Sequence, residues 1–216
     1  MTWSAPPRAF TAALPSNEDA QNLRHARTDN VSDCERTAMN NGILSRNMND
    51  AFIGVDELER LQRAQVALFE SWAASAEWSS FHAEHYDWWT FPIRHSSAFG
   101  LKYSVFEAEV EALRARPDFV ASLRRGSELL LLSWGWSMDQ KRYIPAPAPS
   151  QRWHGWPIRL HKCGSSLLIF RCQDEFESVY GFAHTLIERG ENMMHETFDC
   201  SRLFVEHRPT HAQDHE

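Results

Sequence analysis

The sequence predicts a mainly α protein: a single compact helical domain of four to six helices with short extended Trp-Pro corners, preceded by a disordered N-terminal segment. Three observations carry this expectation. Residues 55–76 and 174–190 repeat apolar side chains at helical spacing. Pro117 and Gly190 stand where a helix starts and where one stops. The chain of 216 residues is 43% hydrophobic, with 9 Trp and 13 Phe, which is enough for one sizeable core.

Residues 1–50 differ from the rest of the chain. They are rich in Asn, Asp, Ser, Thr, Arg and Ala, and no helical or strand period persists through them. They read as a flexible leader with a short helix around 18–27. The helical domain is expected over 51–206, and 207–216 reads as a polar tail carrying His207, His211 and His215.

Within the domain, VDELERLQRAQVALFESWAASA (55–76) places Leu58, Leu61, Val66, Phe69 and Trp72 on one side, with Gln62 and Gln65 beside them. A short helix or turn is expected over 78–86. DWWTFPI reads as extended, because the residue before a proline avoids helical backbone. HSSAFG (95–100) is a loop by composition. SVFEAEVEALRA opens with the spacing of a capping box between Ser104 and Glu107. Residues 117–136 align Phe119, Leu123, Leu130 and Trp134 and read as the central core helix. The prolines of 137–152 predict an extended connection. Residues 153–171 are ambiguous between two short strands and a strand with a helical turn. Over 174–190 the stripe is Phe176, Val179, Tyr180, Ala183, Leu186 and Ile187, with Asp174 and Glu177 placed as a cap pair. A short helix is expected near 200–206.

Charge and composition exclude several functions. A net charge of −7 argues against general nucleic-acid binding, which needs a basic stripe, and gives no attraction to anionic lipid. No apolar run approaches the roughly 20 residues of a membrane span, and no secretory layout opens the chain. Cys34, Cys163, Cys172 and Cys200 form no CxxC pair and read as reduced thiols of a cytoplasmic protein. Walker A, G-x-G-x-x-G and G-x-S-x-G patterns are all missing, and no cofactor is expected.

Two clusters remain. His82 and His85 lie three apart with Asp87 nearby, a spacing that would put both imidazoles on one helix face. The zinc-protease pattern needs histidines four apart, so surface or capping histidines are the expectation and no metal site is assigned. The second cluster is an echo. WTFPIRH (89–95) and GWPIRLH (155–161) both run aromatic-Pro-Ile-Arg and then His. If the corners meet, Arg94, His95, Arg159 and His161 would line one polar pocket walled by Trp88, Trp89, Trp153 and Trp156, with Tyr103 a further ligand-binding candidate. Such donors suit a phosphate or carboxylate.

The ordered segments RLQRAQVALFESW, HYDWWTFPI, FGLKYSVFEAEVEALRARPDFVASLRRGSELLL and IFRCQDEFESVYGFAHTL resemble a small bacterial family of unknown function often labelled calpastatin-like. That family carries an AQ-containing helix, a W-x-F-P corner, a G-L-G-then-Y-A-I segment with an acidic helix ending in H-P, and a late I-F-x-x-x-D-D segment. The matching positions are Ala64-Gln65, Trp89 to Pro92, Gly100 with Tyr103 to Val105, Arg116-Pro117, and Ile169-Phe170 with Asp174-Glu175. The corner is also similar to the W-L-F-P segment of the conserved region of opioid growth factor receptor proteins. The likeness runs from Arg60 to Leu186, interrupted by the Pro-rich 137–152 insertion, and Arg116 stands where the family has His. It implies an all-α single domain and brings no activity.

The functional expectation is a binding module whose aromatic, Arg/His-equipped pocket takes a small anionic ligand or a peptide. The alternative is a hydrolase or transferase using His82, His85 and Asp87 as acid/base or metal-binding groups. A third reading is a domain that serves only to contact a protein partner.

Overall fold

The computed structural model describes residues 45–209. The expected helix at 18–27, Cys34 and the tail histidines His211 and His215 lie outside these residues. The described chain is mainly helical, with eight helices of which five have eight residues or more. In chain order, α1 is Val55–Ala74, α2 Ser80–Ala83, α3 Asp87–Thr90, α4 Glu107–Arg114 and α5 Pro117–Ser133. Then come β1 (Trp136–Ser137), β2 (Arg142–Tyr143), α6 (Pro157–Ile169), α7 (Gln173–Glu188), β3 (Met194–His195), β4 (Phe198–Asp199) and α8 (Arg202–Glu206). The strands pair only as two antiparallel hairpins, Trp136 opposite Tyr143 and Met194 opposite Asp199.

Helix α1 forms as its period requires. Leu58, Leu61, Val66 and Phe69 face inward with Gln62 and Gln65, and the helix packs chiefly on α5 and α3. Arg116, at the α4–α5 corner, bridges Asp56 and Glu59 of its first turns, each at 2.7 Å. The packed domain reaches back to Asn47, inside the expected leader. The Asn47 side chain donates to the carbonyls of Leu101 and Ser104, both at 2.8 Å, and its backbone N–H donates to Glu109.

Several local expectations are corrected. Within 78–86 the expected short helix forms as the single turn α2, after which Glu84 is extended. DWWT is helical rather than extended, because Pro92 constrains only the residue before it, and the Tyr86 carbonyl accepts from the Thr90 amide. Helix α4 starts later than the Ser104–Glu107 box predicts. The Val105 amide is held by the Ile93 carbonyl, and the Ser104 hydroxyl donates to the His95 carbonyl at 2.8 Å. Glu109 instead reaches back to the Phe106 N–H at 3.0 Å. At α7, Asp174 lies inside the helix and Glu177 pairs with Lys141 at 2.8 Å, so neither caps it.

The largest correction concerns the centre. Helix α5 buries eight of its seventeen residues. The ambiguous 153–171 segment forms α6, which starts with Pro157 in its first turn and buries ten of its thirteen. It is a helix buried on all sides, packed against α7, α5, α3, α8 and the β3–β4 hairpin. Gly164 lets α8 approach: a Cβ there would lie 3.1 Å from both Leu203 and Phe204. At the end of α5, Gly135 has φ +78°, and a Cβ would meet the Gln151 carbonyl at 2.9 Å. The Pro-rich segment is thereby clasped. Gln151 donates from its side chain to the Leu132 carbonyl at 2.8 Å and accepts from the Ala148 amide.

Candidate functional site

Helix α6 brings three basic residues into the core, Arg159, His161 and Lys162, and α3 supplies Asp87. Arg159 is 1% exposed, and Asp87 and Lys162 are 5% exposed. Lys162 donates to the Asp87 carboxylate at 2.5 Å, and Arg159 Nε lies 3.8 Å from its other oxygen. The two terminal nitrogens of Arg159 donate to the Phe81 and Glu84 carbonyls, each at 2.5 Å. These carbonyls lie on and just after the single turn α2 and have no helical partners of their own to satisfy, so the guanidinium fixes the whole 81–87 bend onto α6.

Aromatic faces complete the cage. The Arg159 guanidinium sits 4.7 Å from the Tyr86 ring centre and 4.4 Å from that of Trp156. The Lys162 ammonium lies 4.9 Å from the Trp88 ring centre. Ring quadrupoles of this kind offset part of the desolvation of each cation. Burial pushes the Asp87 carboxyl up, but the charges of Lys162 and Arg159 outweigh it and hold the group below the ordinary carboxylate value. Burial pushes the Tyr86 hydroxyl above its ordinary range, and it donates to the same Phe81 carbonyl at 2.7 Å.

The cluster holds one carboxylate against two cations, a net charge of +1. Among the described residues Lys162 forms one hydrogen bond, to Asp87, and its ammonium otherwise faces the Trp88 ring, so two of its three donors have no oxygen or nitrogen acceptor there. It forms part of the wall of a cleft of about 10 Å³, shared with Trp88, Ile93, His95, Ser97 and Tyr103. That space suits about one water-sized atom. Phe99 packs edge-on against two of the lining rings, Trp88 at 4.7 Å and Tyr103 at 5.6 Å.

The expected residues are therefore only partly gathered. Trp88, His95 and Tyr103 surround the cleft, with Trp89 behind Tyr103 at 5.7 Å. Trp156 and Arg159 form the cage on the far side of Asp87. His161 is 7% exposed, lies 3.3 Å from the Ser165 hydroxyl and packs on Phe198. Burial, with the charges of His95 and Lys162, lowers its pKa to about 4. Arg94 goes elsewhere, to Glu107 at 2.8 Å on a half-exposed surface.

His82, His85 and Asp87 share no hydrogen bond. His82 stacks toward His154, at 4.2 Å between ring centres, and His85 lies 5.9 Å from Trp88. Burial, then the charges of His154 and Arg159, lower the His82 pKa to about 3. Among the described residues no three His, Cys, Asp or Glu side chains are grouped to hold a metal ion. Burial pushes the Cys163 thiol up to about 12, which leaves it protonated and a poor nucleophile.

A larger hollow lies away from this cluster. It is an open depression of about 1090 Å³ between α5, the start of α7 and the β1–β2 turn. Its charges are largely matched to one another, as in Arg124–Glu175 at 3.1 Å and Arg125–Glu128 at 2.7 Å, so the chemistry favours the smaller cleft. Lys162 and Tyr86 are the residues that sequence reasoning missed. The signal was present: Arg159 and Lys162 lie three apart and share a face once 157–169 is read as helix. Among the described residues, no helix is long and apolar enough to cross a membrane. Compared with known proteins, the chain matches no family model, and no curated protein or solved structure is detectably similar to it.

Proposed function

We propose that this domain is a binding module that takes a ligand bearing an anionic group at the Trp88–His95 corner, against the Lys162 ammonium. The observation that carries the reading is Lys162 itself: buried, one of two cations facing a single carboxylate, and with two donors lacking a polar acceptor among the described residues, at the wall of an aromatic cleft. A buried donor without an acceptor is costly, and an anion's oxygen removes that cost. The cleft admits the tip of a ligand, while the half-buried rings of Trp88 and Phe99 offer a surface for its body. The binding reading is favoured over the acid/base one because Asp87 is held between Lys162 and Arg159 and is not bonded to either histidine. A cytoplasmic setting fits the free, buried thiols of Cys163, Cys172 and Cys200.

A thermal-shift series with inorganic phosphate, phosphate esters and small carboxylates tests the proposal. A ligand at about 100 times its Kd raises stability by roughly 2.7 kcal/mol, a shift of several degrees. Lys162→Met should lose the shift, whereas Arg94→Ala should keep it. No shift with any anion, or an undiminished shift in Lys162→Met, would remove the proposal.

A further inference from the structure

The cleft also discriminates between anions, provided that the binding reading above is correct. From its charge count, size and rim, the geometry points to a monocarboxylate with a flat apolar body as the ligand class, in preference to a phosphate.

Charge comes first. Asp87 faces Arg159 and Lys162, so one further negative charge brings the cluster to neutrality. A dianionic phosphate would leave an excess negative charge among groups that are 5% exposed or less, and a buried uncompensated charge is strongly unfavourable. The Arg159 terminal nitrogens are already committed to the Phe81 and Glu84 carbonyls, so Arg159 contributes its charge but cannot fork onto a phosphate.

Size and rim point the same way. A space of about 10 Å³ receives one oxygen of a planar carboxylate and is small for a tetrahedral group with three terminal oxygens. Phe99 makes a T-shaped set with two rings that line the cleft, at 88° to Trp88 and 89° to Tyr103. Phe99 is held there by a closed loop. Ser97 and Gly100 exchange backbone hydrogen bonds at 2.9 Å each, and the Ser97 hydroxyl accepts the Phe99 N–H at 3.1 Å. Trp88 and Phe99, half-buried and backed by the buried Tyr103 ring, stack on a flat apolar group at little entropic cost. His95, exposed beside the cleft, adds a donor at its mouth.

Calorimetric titration of the full chain with phenylacetate, phenyl phosphate and phenylacetamide tests the inference. The expected order is phenylacetate first, phenyl phosphate at least about 10-fold weaker, and no binding of the amide. Phe99→Ala, on a surface loop, should weaken phenylacetate about 10-fold with an unchanged circular dichroism spectrum, which keeps the test valid even if Lys162→Met unfolds. The peptide Gly-Gly-Phe, with a free or amidated terminus, separates a chain terminus from a free acid as the source of the carboxylate. Equal or tighter binding of phenyl phosphate would overturn the carboxylate preference and leave the anion-binding reading standing. Absence of binding by both anions would end both.

Discussion

Residues 92–94 and 157–159 are the same tripeptide, Pro-Ile-Arg, in opposite surroundings. Pro92 and Ile93 are buried while Arg94 turns out to Glu107, and both partners of that pair are a third to a half exposed. Pro157 opens α6, and two residues later Arg159 is enclosed between Tyr86 and Trp156 at 1% exposure. The difference arises downstream. Pro92 is soon followed by HSSAFG, which turns away, whereas Pro157 is followed by a dozen residues that stay helical, with Gly164 the one glycine among them and no second proline. An exposed ion pair contributes about 0–1 kcal/mol. A buried one is costly to form and far costlier to break. The contrast teaches that the energetic weight of an arginine is set by the backbone that delivers it and not by its immediate neighbours in sequence.

The contrast can be broken from its strong side first. Arg159→Met should lower stability by about 3–5 kcal/mol in urea denaturation, because Asp87 loses a cation and the Phe81 and Glu84 carbonyls lose their donors. A loss below about 1 kcal/mol would place Arg159 with Arg94. Replacing the whole cluster, Asp87→Leu with Arg159→Met and Lys162→Met, should leave stability nearer to wild type than Arg159→Met does, since no charge is then stranded. The same triple variant should bind no anion.

Acid sharpens the comparison further. His82, which lies beside Arg159, has a folded pKa lowered to about 3 from 6.5, first by burial and then by the charges of His154 and Arg159. Between those values the unfolded chain binds a proton that the native chain does not, so stability falls as pH drops from 6.5 toward 3. His161, lowered to about 4, adds to the same slope. Asp87 acts lower down: its lowered pKa contributes stability above 3.8 that is lost as pH falls through the folded value. His82→Gln should flatten the decline in urea midpoint between about pH 6.5 and 4, and an unchanged slope would assign the effect elsewhere. The smallest effect is expected from Arg94→Ala, at most about 1 kcal/mol and reduced by salt.

The parts of the fold legible in the sequence were those whose burial coincides with apolar side chains. The stripes of α1, α5 and α7 are of this kind, and Leu58, Phe69, Phe119, Leu123, Phe176 and Val179 are all buried. Helix α6 was illegible for the complementary reason. Its buried positions hold Arg159, His161, Lys162, Ser165 and Ser166, which no apolar period can register. Of the site, the aromatic corner was legible from its composition. Lys162 was not, because its meaning depends on Asp87, 75 residues away. The pairing of the two arginines failed because an identical tripeptide carries no information about the direction the chain takes after it.

The clasped Pro-rich segment before α6 has a consequence for dissecting the molecule. It has the composition of an interdomain hinge, and a cut there would divide an N-terminal half ending near Tyr143 from a C-terminal half beginning near Trp153. The carbonyls that Arg159 needs and the carboxylate that Lys162 needs are all in the first half, while both cations are in the second. Either fragment alone would expose an orphaned charge or an unsatisfied bend. The two halves should therefore be recovered as folded protein only when co-expressed, as complementing fragments of one cooperative unit.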